Sequence, residues 1–120
     1  MEKFREWEKL LSKTMNIHPS EVRAYLILMN VRRATAEEIT KLMEVDSIDS
    51  VSNVVKSLLE KGMVIPDAEN NGGYVALHPK MALTNIYKTY EEAIKTELKG
   101  KRLVIDKLSY EMAQIYEKGK

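Results

Sequence analysis

Residues 35–78 carry the pattern that most restricts how this chain can fold. Thr35-Ala36-Glu37-Glu38 has the form of a capping box, in which two side chains satisfy two backbone N–H groups at a helix start. The apolar spacing after it predicts a helix that ends near Val45. A polar turn over 46–50 follows, and a second helix is predicted from about Ser50 to Lys61. Gly62 then stands where a helix end favours positive φ.

Two short strands are predicted after this glycine. Met63–Ile65 and Tyr74–Leu77 are apolar throughout, and the Asn-Asn-Gly-Gly between them suits a tight hairpin because both residue types accept positive φ. Pro66 cannot donate to a sheet ladder, so its strand belongs at an edge. Helix, turn, helix and hairpin in this order predict a mainly α fold with a small β-hairpin, a winged helix-turn-helix. A generic three-helix core with an attached hairpin is the alternative.

Two further helices are predicted before this segment. Apolar side chains recur in steps of three and four over residues 3–15, which places them on one helical face. Pro19 suits the first turn of a second helix, where its missing N–H costs nothing, and that helix runs to about Val31.

The tail from Pro79 to Lys120 is predicted to be helical and to carry an apolar stripe. Its members are Leu83, Tyr87, Tyr90, Ile94, Leu98, Ile105, Leu108, Met112 and Ile115. About 40 residues of helix reach roughly 60 Å, which is more than one small domain can cover. We therefore predict a winged-helix domain over 1–79 and a dimerisation arm over 80–120, antiparallel or coiled-coil. Arg102 fills one inward slot near Gly100, so the arm is one kinked helix or two helices.

Charge is distributed unevenly along the chain, although the net charge is only +1. Residues 1–34 hold seven basic and four acidic side chains, residues 35–79 hold three and eight, and residues 80–120 hold nine and six. The predicted helix-turn-helix and wing are therefore negative by five. A surface that binds duplex DNA is usually basic, so phosphate contacts must come largely from the flanking segments.

The stretches NIHPSEVRAYLILM, ATAEEITKLMEV, SVSNVVKSLLEKGMVIP and GGYVALHPKMAL together resemble the DNA-binding domain of the archaeal TrmB-type transcriptional regulators. They resemble the MarR-like winged helices more loosely. The resemblance covers about residues 10–95 and implies a homodimeric regulator of transcription that binds double-stranded DNA through a recognition helix at Ser50–Lys61. The turn over 46–50 is expected to be one residue longer than in the family. The family's larger ligand-binding domain, which would follow the long helix, is absent from this sequence, so no sugar effector can be inferred.

The exposed positions of this predicted recognition helix are candidate DNA contacts: Ser50, Ser52, Asn53, Lys56 and Ser57. Asparagine can bind adenine through two hydrogen bonds, and serine can contact base edges or phosphate. Arg32 and Arg33 precede the motif and are candidate phosphate anchors, while Asn70 and Asn71 at the wing tip are candidates for groove contact. The alternative for each group is a solvated polar surface.

Other classes of function find little support in the sequence. Without cysteine there is no thiolate nucleophile or thiolate metal site, and no apolar run approaches the roughly 18–20 residues that span a bilayer. His18 and His78 each precede a proline, with no second ligand at a suitable spacing. We therefore expect no enzyme activity, no cofactor, no metal, no membrane association and a cytoplasmic location.

The negative helix-turn-helix segment leaves a second function open. An acidic winged helix repels duplex DNA but suits a basic protein partner. A protein-interaction module that binds the transcription machinery or another DNA-binding protein is therefore the alternative.

Overall fold

The computed structural model describes residues 2–45 and 48–119, without the side chain of Ile48. Its helices are α1 (Glu2–Met15), α2 (Pro19–Val31), α3 (Ala36–Met43), α4 (Ile48–Glu60) and α5 (Pro79–Lys118), and its strands are β1 (Arg33–Thr35), β2 (Val64–Pro66) and β3 (Gly73–Ala76). The chain divides into two compact units, Met1–Lys88 and Thr89–Lys120, and α5 contributes to both.

The wing is a three-stranded sheet rather than the predicted two-stranded hairpin. Its strand order is β1-β3-β2, with both pairs antiparallel. Val75 lies opposite Arg33 on one side and Ile65 on the other. β2 lies at an edge of the sheet, as Pro66 requires. The additional strand ties the segment before α3 to the wing, so the helix-turn-helix is held at both ends.

The core of the first unit is built around α2. Val22, Tyr25 and Leu28 from this helix are almost fully buried. The other elements contribute Ile39, Val51, Val55, Leu58, Met63, Val64, Ala82 and Ile86. Tyr25 also donates from its hydroxyl to the carbonyl of Leu77 at 2.8 Å, and burial raises the pKa of Tyr25 to about 12. This packing fixes α4 against α2, which determines the face that α4 presents to solvent.

The capping box at the start of α3 is confirmed. The N–H of Glu38 donates to the Thr35 hydroxyl at 3.2 Å, and the N–H of Thr35 donates to the Glu38 carboxylate at 3.1 Å. α3 ends at Met43, two residues before the predicted end, because Glu44 adopts a left-handed conformation with φ +57°.

The second helix of the motif also differs from its prediction. α4 begins at Ile48, so Asp49 and Ser50 are helical and the turn does not extend to Ser50 as predicted. Asp46 and Ser47, the rest of the predicted turn, lie outside the described residues. Several residues of this stretch can cap a helix, and the sequence did not distinguish the cap from the first turn.

The second unit consists of α5 alone. α5 continues through Gly100 to Lys118, so the alternative of two separate helices is wrong. Arg102 pairs with Asp106 at 3.0 Å, and Lys101 pairs with Glu97 at 3.2 Å. All described side chains from residue 91 onward are exposed in the single chain, including the predicted dimerisation residues of this stretch. Across the described ranges, no helix combines the length and the apolar character that a membrane span needs.

Candidate nucleic-acid interface

α4 presents a small polar face to solvent. Val51, Val55 and Leu58 are buried against the core, while Ser52, Asn53 and Lys56 are exposed on the other side of the helix. Residues three and four apart share a helical face, so Ser52, Asn53 and Lys56 are neighbours. None of these three side chains makes a hydrogen bond or an ion pair within residues 2–45 and 48–119. Their donors and acceptors are therefore available to another molecule.

Ser57 does not belong to this exposed face, contrary to the prediction. It is half-buried, and its hydroxyl donates to a carboxylate oxygen of Glu21 at 2.8 Å. Lys61 pairs with the other oxygen of Glu21 and donates to the Ser57 hydroxyl at 3.0 Å. This group joins the start of α2 to the end of α4. It fixes the orientation of α4, and it pairs the charge of Lys61 with a carboxylate beside the exposed face of this helix.

Arg33 is held by two acidic residues of the wing. Its guanidinium lies 2.9 Å from the Glu69 carboxylate and 3.5 Å from that of Asp67. The hydrogen bond to Glu69 and the charges of Asp67 and Glu69 raise the pKa of Arg33. Asp67 is buried, and its Oδ2 atom has no hydrogen-bond partner in the part of the chain that the structure describes. Arg33 therefore serves first as the counter-ion of this carboxylate, so its predicted phosphate contact competes with an existing pair.

Arg32 is placed differently from its neighbour. Its backbone has φ +78°, its N–H donates to the Leu28 carbonyl at 2.7 Å, and its own carbonyl accepts from Ala76 at 3.2 Å. The backbone thus ends α2 and begins the sheet, while the side chain is exposed. Arg32 remains a candidate phosphate anchor at the base of the wing.

The wing tip carries no basic side chain between Asp67 and Gly73. Asn70 and Asn71 are exposed, and the Asn70 carbonyl accepts from Gly73 at 2.9 Å to close the turn. Gly72 supplies a φ of +85° in this turn. The groove contact predicted for the two asparagines stays a prediction. With Glu69 beside them, any such contact meets local negative charge.

The junction between α4 and the wing is fixed by a glycine. Gly62 has φ +74°, and its carbonyl accepts from the side-chain amide of Asn85 on α5 at 2.7 Å. The N–H of Met63 donates back to the Leu58 carbonyl at 3.0 Å, and the N–H of Leu77 donates to the Met63 carbonyl at 2.9 Å. The recognition helix, both hairpin strands and α5 therefore meet at this turn.

Both histidines serve as helix starts. His18 accepts through Nδ1 from the Ser20 N–H at 3.1 Å, and His78 accepts in the same way from Lys80 at 3.0 Å. Among the residues with a described position, no three histidine or carboxylate side chains form a cluster that could hold a metal ion.

Three packed helices, a short connection between α3 and α4, and a small antiparallel sheet define a winged helix-turn-helix protein. The family model described as the sugar-specific transcriptional regulator TrmB matches residues 11–80, and the chain belongs to this family. The resemblance to the TrmB-type regulators and the predicted winged helix-turn-helix fold are both confirmed.

Similar proteins from archaea are considerably longer than this chain. The putative HTH-type transcriptional regulator TrmBL2 of Pyrococcus furiosus and the DNA-binding HTH-type transcriptional repressor TrmBL2 of Thermococcus kodakarensis are each 27% identical over 109 residues, covering 91% of this chain and 41% of their own. A solved structure of TrmBL2, described as an archaeal chromatin protein with a novel mode of DNA binding, matches with a TM-score of 0.77 and 25% identity, covering 94% of this chain and 43% of that one. The chain thus spans less than half the length of these relatives.

Proposed function

We propose that this chain is a DNA-binding transcriptional regulator that acts as a homodimer in the cytoplasm, with residues 1–79 binding DNA and residues 80–120 as the dimerisation arm. The exposed face of α4 carries the proposal, because Ser52, Asn53 and Lys56 combine base-reading and phosphate-binding groups that have no partner among the described residues. The relatives named as DNA-binding proteins support it. Two copies of α4 would enter major grooves that are one helical turn, or a multiple of it, apart.

The ion pairs around α4 and the wing determine which basic side chains can bind phosphate. Glu21 occupies Lys61, and Asp67 with Glu69 occupies Arg33, which leaves Lys56 and Arg32 as the basic side chains best placed for phosphate. Two phosphate contacts per copy make about four per dimer. The logarithm of the binding constant should then fall with the logarithm of salt concentration with a slope of roughly −3 to −4, which is shallow for a DNA-binding dimer.

Titration of labelled duplexes tests this function directly. One duplex carries the DNA upstream of the chain's own gene and the other a random sequence, each measured at about 50 mM and about 200 mM salt. We expect tighter binding to the upstream duplex and a shallow salt slope. Failure of both duplexes to bind at the lower concentration would overturn the proposal.

The second candidate function is the acidic protein-interaction module. Leu42 and Val45 are exposed large apolar residues at the end of α3, and the exposed carboxylate of Glu44 lies between them in the sequence. An apolar patch beside acidic groups suits a basic protein surface. If neither duplex binds, immobilised RNA polymerase is the next probe. Capture of the wild type but not of a Leu42→Ala variant would support this function.

The wing carboxylate that holds Arg33 should weaken DNA binding. Glu69→Gln removes the charged partner at 2.9 Å and leaves the guanidinium with only Asp67 at 3.5 Å, so it is freer to contact phosphate. We expect affinity for duplex DNA to rise roughly five- to tenfold at about 50 mM salt, with a salt slope steeper by about one contact per copy. Glu37→Gln is the matched control, because it removes one exposed negative charge from the same acidic segment without touching Arg33. Equal gains in both variants would show that only net charge matters.

A further inference from the structure

A set of apolar positions on α5, which takes Val104 in place of the predicted Ile105 and omits Leu83, is symmetric about Lys101. Apolar side chains stand three, seven, eleven and fourteen residues from this lysine in both directions. Those before it are Leu98, Ile94, Tyr90 and Tyr87, and those after it are Val104, Leu108, Met112 and Ile115. In the single chain Tyr90 is half-buried and the rest are exposed. Lys101, and not Arg102 as the sequence suggested, occupies the central slot of this stripe.

The spacing of the stripe is that of a coiled coil. Its steps average 3.5 residues between Tyr87 and Ile115, and every seventh residue forms a row with Lys101 in the middle. An apolar repeat that averages 3.5 residues over several turns is typical of a left-handed two-helix seam. The unit Thr89–Lys120 consists of α5 alone, so this stretch has no other element of its own unit to pack against. An isolated helix of this kind gains its stability from a partner.

We propose that this stripe packs against the same stripe of a second copy, antiparallel, with the two-fold axis at Lys101. The proposal rests on the homodimer of the proposed function and gives that dimer its geometry. Because the spacing is the same in both directions, each apolar side chain then meets an apolar side chain of the second copy. Leu98 meets Val104, Ile94 meets Leu108, and Tyr90 meets Met112.

Charge favours the antiparallel over the parallel arrangement. Glu97 stands three residues after Ile94, and Glu111 stands three residues after Leu108. In a coiled coil, positions with this spacing also face the partner helix. Parallel pairing in register places each glutamate against its own counterpart, and such juxtaposed like charges are unfavourable. Antiparallel pairing places Glu97 opposite Ile105 of the second copy instead. Glu97 also lies one helical turn from Lys101 of the second copy.

The central lysine fixes the register of the pair. A single charged residue in a coiled-coil core lowers stability but excludes shifted alignments, in which it would be buried against apolar side chains. At the axis, the two Lys101 side chains lie beside two Glu97 carboxylates. Within one chain these partners are already 3.2 Å apart. The axis at Lys101 thus places the two lysines among two carboxylates, whereas a shifted alignment would place each lysine against apolar side chains of the second copy.

Cysteine cross-linking distinguishes the arrangements, since the chain has no cysteine of its own. Full-length Ile94→Cys and Leu108→Cys variants are oxidised separately and after mixing. A disulfide requires Cα atoms within about 7 Å. We expect at least tenfold more cross-linked dimer, measured by mass spectrometry, from the mixture than from either variant alone. The Lys101→Cys variant should form a disulfide between two of its own copies, which would show that the two α5 helices meet at this position.

The possible failures are separable. Cross-linking of Ile94→Cys with itself would overturn the antiparallel axis. If light scattering shows a dimer but no variant cross-links, the interface lies elsewhere. That result would overturn the inference and leave the dimeric regulator in place. A monomer at micromolar concentration would overturn both the inference and the homodimer. Duplex titration of the wild type reports DNA binding separately from all three outcomes.

Discussion

Replacing Asn53 and Lys56 together with alanine is expected to lower affinity for the upstream duplex by roughly 100- to 1000-fold. A bidentate contact to a base is worth about 1–3 kcal/mol, and each copy of the dimer loses one such contact and one phosphate contact. Both side chains are exposed and have no partner across residues 2–45 and 48–119. Such surface changes alter stability by about 0.5 kcal/mol or less, so Tm should stay unchanged.

Fluorescence anisotropy and thermal melting measure the two effects. Lys99→Ala is the charge-matched control, since it removes an exposed lysine from α5. Asn53→Ala alone should weaken binding to the upstream duplex and leave the random duplex unaffected, because only base contacts carry sequence information. Unchanged affinity of the double variant would show that α4 is not the recognition helix.

The fold could be predicted because its signals are local. The capping box joins Thr35 to a residue only three positions away, and Gly62 marks a helix end with a backbone angle that few other residues accept. Apolar periodicity placed α1, and Pro19 marked the start of α2. Neither the three-residue strand β1 nor the start of α4 has such a signal. A strand of this length shows no alternation, and residues 46–50 contain several capping side chains.

The ion pairs and hydrogen bonds of the candidate site could not be predicted, because the residues that form them are distant in sequence. Ser57 and Glu21 are separated by 36 positions, as are Arg33 and Glu69. Lys61 and Glu21 are separated by 40. A helical wheel shows which side of α4 is polar, but only the packing of α2 on α4 shows that Ser57 points at a carboxylate. Sequence counting therefore gives the net charge of the segment but does not show which of its basic groups are already paired.

Gly62→Ala is expected to destabilise the first unit by about 2–3 kcal/mol. A left-handed backbone costs a residue with a side chain roughly 1–2 kcal/mol. In addition, an added Cβ would lie 2.7 Å from the Asn85 amide nitrogen, which donates to the Gly62 carbonyl. The alanine therefore adds strain and displaces the group that fastens this turn to α5. Tm should fall by roughly 8–20 °C, measured at one protein concentration because the protein is proposed to be a dimer.

Gly72→Ala separates the two causes of that loss. Gly72 has a similar φ of +85°, but an added Cβ there would meet nothing within 4 Å. Its cost should be the backbone strain alone, about 1 kcal/mol. In the Gly62→Ala background, Asn85→Ala should recover part of the lost stability, because it removes the atom that the new Cβ strikes. Equal losses at both glycines, with no recovery, would mean that backbone strain and not the Asn85 contact fixes the junction between α4 and the wing.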